Sequence, residues 1–262
     1  MQALHTAATG MAAQELNVQV ISNNIANLRT TGYKKQTAAF QDLIYEHIRR
    51  VGAQASDQGT ILPVGVDIGG GVKTVGTPRS MTQGTLSQTG NDLDLAISGE
   101  GFFKIQMPDG TYQYTRDGTF QMDNQGRIVT AQGNPVQPAI TVPQNASGLT
   151  VNVQGQVSVT LPGSTTSTTI GQIGLTRFIN KAGLQPVGSN LFTDTPSSGA
   201  PQDGIASAEG YGNVTQGSLE QANVDVVSEM SDLIAAQRAY EMNAKVISAA
   251  DQMLQSTSGM FR

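Results

Sequence analysis

The sequence predicts an α+β protein: long N- and C-terminal helices forming a coiled-coil-like core, a central β-rich domain, and an extended segment after the first helix. Three observations carry this prediction. Apolar residues recur at a strict seven-residue step near both ends, first Leu4, Met11, Val18 and Ile25, then Val226, Leu233, Tyr240, Ile247 and Leu254. Between them the helical period gives way to short alternating runs broken by Gly, Asn and Asp. Charged residues make up 13% of the chain, against roughly 25% in an average soluble protein, while Gly reaches 30 residues. That is the palette of a turn-rich β protein. The expected division is 1–39 with 218–262 as the helical core, 40–71 as the extended segment, and 72–217 as the β-rich domain.

The first helix has Ala7, Ile21 and Leu28 near the companion position of its seam, and would be about 40 Å long at 1.5 Å per residue. Gly32 suits a left-handed C-terminal cap. Its last turns are crowded by Asn23, Asn24 and Asn27, although asparagine competes with the helix for backbone hydrogen bonds. The last helix is capped by Asn223 or Asp225, with Glu229 and Asp232 favouring its N-terminal half. Ala235, Ala236, Ala239, Ala244, Ala249 and Ala250 make it slim enough for close neighbours. A strict seven-residue step points to helix-on-helix seams.

In the central region Asp109-Gly110 and Asp117-Gly118 are dipeptides favoured in tight hairpin turns. A further hairpin is read in LTVNVQGQVSVTLPG, with Val151, Val153, Val157 and Val159 on one face. Residues 40–50, FQDLIYEHIRR, are read as carrying a short helix, and the chain beyond as extended. At this length the segment is too long for a simple connection and has a job of its own.

Composition and motifs exclude much. A net charge of -5 argues against a nucleic-acid partner. With no cysteine there is no disulfide, Cys-ligated zinc or thiol catalysis. His5 and His47 stand apart from other ligand types, no G-x-S-x-G elbow occurs, and Gly69-Gly70-Gly71 lacks the Lys-Ser/Thr of a phosphate loop. The DNQGR stretch from Asp123 lacks the closing glutamate of a calcium loop and reads as a hairpin turn. No carboxylate pair is singled out for sugar cleavage. The expectation is therefore no catalytic site, no metal and no cofactor. No apolar run approaches the ~20 residues of a membrane span, and the helices lack a basic face, so no direct membrane insertion is expected. The N-terminus has no cationic residue before its apolar ones and does not read as a cleavable signal.

Narrow, alanine-rich seams leave apolar surface that identical neighbours could cover in a helical polymer, and pattern alone weighs this evenly against a two-helix stalk. The stretch SNNIANLRTTGYKKQTAAFQDL closely resembles the N-terminal signature of bacterial flagellar rod and hook proteins. NVDVVSEMSDLIAAQRAYEMNAKVI resembles their C-terminal signature. ISGEGFFKIQMPDGTYQYTRDGTFQMDNQGRIVTAQGNPV and GYGNVTQGSLEQANVDV resemble their central segments. Within the family, IYEHIRRVGAQASDQGTILPVGVDIGGGV is similar to the segment characteristic of distal rod members. A proximal rod protein or another hook-family axial protein is the alternative, and a secreted β-rich adhesin with a helical stalk, or a cell-wall hydrolase, represents other classes.

The resemblance implies a structural protein of the flagellar basal body, polymerising into a drive shaft across the periplasm. The implied partners are other copies of itself, proximal rod proteins, the hook protein, the surrounding periplasmic and outer-membrane ring proteins, and the flagellar export apparatus, which would replace a signal peptide. It gives the asparagines a role. In a polymer Asn24 at the flank of the seam, with Asn23 and Asn27 farther out, would meet neighbouring helices and fix register; a frayed, solvated helix end is the other reading. Arg238, Tyr240 and Glu241 are the corresponding contact residues of the last helix. Arg49, Arg50, Asp57, Ile61, Leu62 and Pro63 are expected to stiffen contacts between subunits.

Overall fold

Helix α1 spans Gln2–Ala26 and helix α2 spans Val226–Met260. The computed structural model describes residues 2–49, 64–146, 148–162 and 167–260. Two compact units make up the α+β chain: Met1–Ile25, Gln36–Pro78 and Asp225–Arg262 in the first, Ala26–Lys35 and Arg79–Val224 in the second. Residues 26–35 and 218–224, grouped with the helices by sequence pattern, therefore sit in the β-rich unit, and residues 40–49 and 64–78 sit with the helices.

In the helical unit, Asp225 caps α2: its carboxylate accepts from the Ser228 N–H at 3.3 Å, and its carbonyl from Glu229 at 3.0 Å. The two helices run antiparallel, because Asn24 bonds Glu229 while a Cβ at Gly10 would lie 2.9 Å from the Asn243 amide nitrogen. Residues 40–49 are not helical. Ala39–Asp42 pairs with Val72–Gly76, and Tyr45–Arg49 with Val66–Gly69, both antiparallel. The Leu43 and Gly70 amides carry the ladder across the gap. The β-preferring Phe40, Ile44, Tyr45 and Ile48 outweigh the helical reading once Val66, Ile68, Val72 and Val75 supply a partner strand. This ribbon leans on α1 through Thr9, whose hydroxyl accepts from the Val72 N–H at 3.3 Å.

The β-rich unit is organised by the strand Phe102–Gln106, in which alternate side chains serve two cores. Phe103 and Ile105 join Leu95, Ile97, Phe120, Val157 and Leu175 on one side. Phe102 packs on the other with Tyr114, Phe178, Leu184 and Phe192. That strand sits inside a seven-stranded sheet, beside Tyr112–Thr115 and Gly174–Arg177, while Gly148–Val151, Gln156–Thr160 and Ser167–Gln172 form a second sheet. The Asp109-Gly110 turn joins Phe102–Gln106 to Tyr112–Thr115 as expected. The turn from Asp123 likewise links Phe120–Met122 to Ile128–Thr130. Asp117-Gly118 does not make a hairpin: the strand after it pairs forward, and a Cβ on Gly118 would fall 1.6 Å from the Leu95 carbonyl oxygen. Val151, Val157 and Val159 are buried together, but Val153 lies in the turn and is exposed.

Three charged side chains are sealed inside this unit. Lys34 Nζ lies 2.6 Å from Glu220 Oε1, and Arg116 Nη1 lies 3.3 Å from Glu220 Oε2. Lys34 also donates to the Thr82 carbonyl, and Arg116 to the carbonyls of Ile97 and Gly99. Burial pushes the Lys34 pKa down, against the opposing pull of Glu220.

Gly32 is not the cap of α1. The helix ends at Ala26, followed by an Asn27–Thr30 turn, and Gly32 serves the β-rich unit instead. It has φ +67, donates its N–H to the Glu220 carbonyl, and has the Asp117 nitrogen 2.6 Å from where a Cβ would be. Gly32→Ala should therefore destabilise this unit by about 2 kcal/mol, from left-handed strain plus backbone collision. Urea unfolding followed by near-UV tyrosine dichroism would measure it.

Candidate subunit-contact surface

Buried positions mark the inner faces of the paired helices, small and polar on α2 but including Val20 and Ile21 on α1. On α1 they are Ala7, Ala13, Val20, Ile21 and Asn24; on α2, Glu229, Ala236 and Ala250, with half-buried Asn243 on the same seven-residue step. The stripes of large apolar residues run alongside. Leu4, Met11, Val18 and Ile25 are half-buried, as are Leu233 and Ile247, while Val226, Tyr240 and Leu254 are exposed; Leu28, expected on this stripe, is half-buried in the turn beyond α1 and belongs to the β-rich unit. Farther round α2, Val227 is 73% exposed and Met242 67%, joined by Met230, Ile234, Val246 and Met253. Arg238 and Glu241 are also exposed on this helix. So much bare apolar surface on one helix marks a contact face.

The asparagines divide. Asn24 is 1% exposed, and both ends of its amide are engaged inside the chain. Its NH2 donates to the Gln36 carbonyl at 2.8 Å and to Glu229 Oε2 at 3.1 Å, and its oxygen accepts the Gln36 N–H at 2.9 Å. The expectation that Asn24 reaches a neighbouring subunit is corrected: its amide instead ties α1, the following segment and α2 together. Asn27 is half-buried and accepts from the Thr30 hydroxyl, and Asn23 is exposed.

The ribbon is the second apolar feature, and sequence pattern missed it by reading a helix there. Ile44 is 90% exposed, and Ile48, Val64, Val66, Ile68 and Val75 are exposed with it. The apolar residues Phe40, Leu43, Ile44 and Ile48 keep a helical spacing, and only the β-branched and aromatic content at Ile44, Tyr45 and Ile48 signalled a strand. Arg49 is exposed at the end of its strand; Arg50, Asp57, Ile61, Leu62 and Pro63 lie outside the described residues. A cleft of about 460 Å³ opens where the ribbon's Ile68 and Gly69 meet Ala3, Thr6 and Ala7 of α1 and Asn243 and Val246 of α2.

An apolar helical face at the chain's two ends, with a β-rich unit inserted between them, is the architecture of a structural rather than a catalytic protein. Comparison with known families agrees. Residues 4–34 match the flagella basal body rod protein family, 96–159 the flagellar hook protein FlgE/F/G D1 domain, and 215–260 the flagellar basal body rod FlgEFG protein C-terminal family. The chain belongs to the flagellar basal-body rod and hook family, whose members are structural proteins and not enzymes.

Within that family its similarity is to proteins named flagellar basal-body rod protein FlgG. It is 54% identical to the one from Caulobacter vibrioides, covering 98% of both chains, and 35% identical to the one from Bacillus subtilis, covering 100% of both. To the Caulobacter rod protein FlgF it is 34% identical over 91% of this chain and 89% of that one. The chain is a structural protein of the distal flagellar rod.

Asn24→Ala should lower helical-unit stability by about 2 kcal/mol, because it strips a donor from buried Glu229 and a partner from the Gln36 backbone. Loss of ellipticity at 222 nm on heating should shift accordingly, with the β-rich unit's tyrosine signal unmoved.

Proposed function

We propose that copies of this chain polymerise through the outward apolar stripes of α1 and α2, packing as a coiled-coil-like core in a shaft that carries torque across the periplasm. The observation that supports this most directly is the exposed row on α2. Its large apolar residues point away from α1, and alanines take the inner seam, so the helix offers its strongest apolar surface to other copies. Full burial of each such side chain contributes about 2 kcal/mol, so many weak contacts summed along a polymer hold it together. Leu233, Tyr240, Ile247 and Leu254 form the near edge of this surface, with Arg238 and Glu241 able to set register by charge. Proximal rod proteins and the hook protein would meet its two ends, ring proteins its outside, and the flagellar export apparatus would deliver it.

Val227→Asp and Met242→Asp test this reading, since both positions are exposed in the single chain. Each should change monomer stability by less than about 0.5 kcal/mol. Each should also abolish tubes in electron micrographs of concentrated protein and abolish swimming in a complemented strain. Normal tubes and swimming in both variants would refute the stripe.

The ribbon and the residues beyond it are proposed to set stiffness rather than the capacity to polymerise. A bare ladder bearing Ile44, Ile48 and Val66 can add contacts outside the helical core and so oppose sliding between neighbouring rows of subunits. Deleting residues 46–63 in frame should leave tubes that form but curve; straight tubes indistinguishable from the parent would remove the ribbon from this role.

A further inference from the structure

We infer that the Lys34–Glu220–Arg116 cluster is a closure gate that couples completion of the β-rich unit's core to arrival of its last strand, Ser218–Glu220. The carboxylate is placed to do this. Glu220 Oε1 accepts from Lys34 Nζ at 2.6 Å and from the Gly84 N–H at 2.8 Å, Oε2 accepts from Arg116, and the backbone carbonyl accepts from Gly32. One residue thus gathers segments near 32–34, 84 and 116. All three charged side chains are at most 3% exposed.

The consequence is an order of events. Glu220 lies 186 residues after Lys34 and 104 after Arg116. In any chain that emerges amino end first, both cations are present long before the anion. Closing the core around them without Glu220 would bury two like charges, one of them the permanently ionised guanidinium, away from water. The core strands 95–98 and 102–106 therefore stay open until strand 218–220 arrives. A buried ion cluster of this kind adds little stability over apolar side chains of similar volume, but breaking it by removing one partner is costly. The distinction makes the gate separable from simple reinforcement.

Two full-length variants and one kinetic measurement test it. Glu220→Gln should lower the thermal transition of the β-rich unit by about 10 °C. Replacing the whole cluster, Lys34→Met with Arg116→Met and Glu220→Leu, should restore the transition to within a few degrees of the parent. Pulse-labelled hydrogen exchange during refolding then reads the order. In the parent chain the amides of Phe102–Gln106 and Ser218–Glu220 should gain protection in one phase; in the triple variant Phe102–Gln106 should become protected first. Three results would overturn the gate: an unshifted transition in Glu220→Gln, a triple variant no more stable than the single one, or early protection of Phe102–Gln106 in the parent.

Discussion

The rest of the helical unit follows from one constraint: the buried positions of α2 that face α1 are small or polar, Glu229, Ala236 and Ala250, while α1 meets them with Ala7, Ala13, Val20 and Ile21. Ala7 and Ala13 on one helix, and Ala236 and Ala250 on the other, are buried. A Cβ at Gly10 would lie 2.9 Å from the Asn243 amide nitrogen, so that side chain would have to shift to admit a methyl group. Burying methyl groups at these positions removes little apolar area from water per residue. Every bulky side chain on α2 is consequently displaced to the flank or the outside. Under the proposed assembly, packing within one chain and packing between chains are complementary uses of the same helix.

A seam of alanines is smooth, and a smooth seam specifies its register poorly. Buried polar contacts supply what methyl groups do not. Sliding α2 by one turn would separate Glu229 from Asn24 and leave a carboxylate in a dry place, at a cost far beyond that of a shallow alanine mismatch. The β-rich unit applies the same logic with stronger charges, at Lys34, Arg116 and Glu220. In both units a polar group near the start of the chain meets a carboxylate near its end: Asn24 with Glu229, and Lys34 with Glu220.

Much of this architecture was legible in the sequence. The seven-residue steps marked both helices, and Asp109-Gly110 and the turn at Asp123 marked real hairpins. What local pattern could not supply was partner identity. Residues 40–49 read as helical because a strand's alternation over so short a span is weak until Val66–Gly76 lies beside it. Gly32 looked like a helix cap because it follows apolar residues, whereas its left-handed backbone is required by Asp117, 85 residues farther on. The seam had the same difficulty. Counting large apolar residues finds the Leu233–Tyr240–Ile247 stripe, while the inner seam of Ala236, Asn243 and Ala250 keeps the same step with residues that hydrophobicity does not score. The second row of sevens was its only signature.

The asparagine-rich end of α1 is explained by topology rather than by propensity. Asn24 stands two residues before α1 stops at Ala26, where the chain must turn and begin the segment that includes Gln36. Helix ends leave carbonyls unsatisfied, and a chain leaving a helix beside another helix brings further unpaired amides with it. A side-chain amide has an acceptor and a donor side by side, so it can accept an N–H and donate to a carbonyl of the same residue, as Asn24 does with the two backbone groups of Gln36. Leucine there would bury more apolar area but leave those backbone groups and Glu229 without these partners. The helix gives up a little propensity at Asn24, a few tenths of a kcal/mol, and gains a fixed exit. If copies pack through the α2 stripe as proposed, a fixed exit holds that stripe at the same angle in every copy.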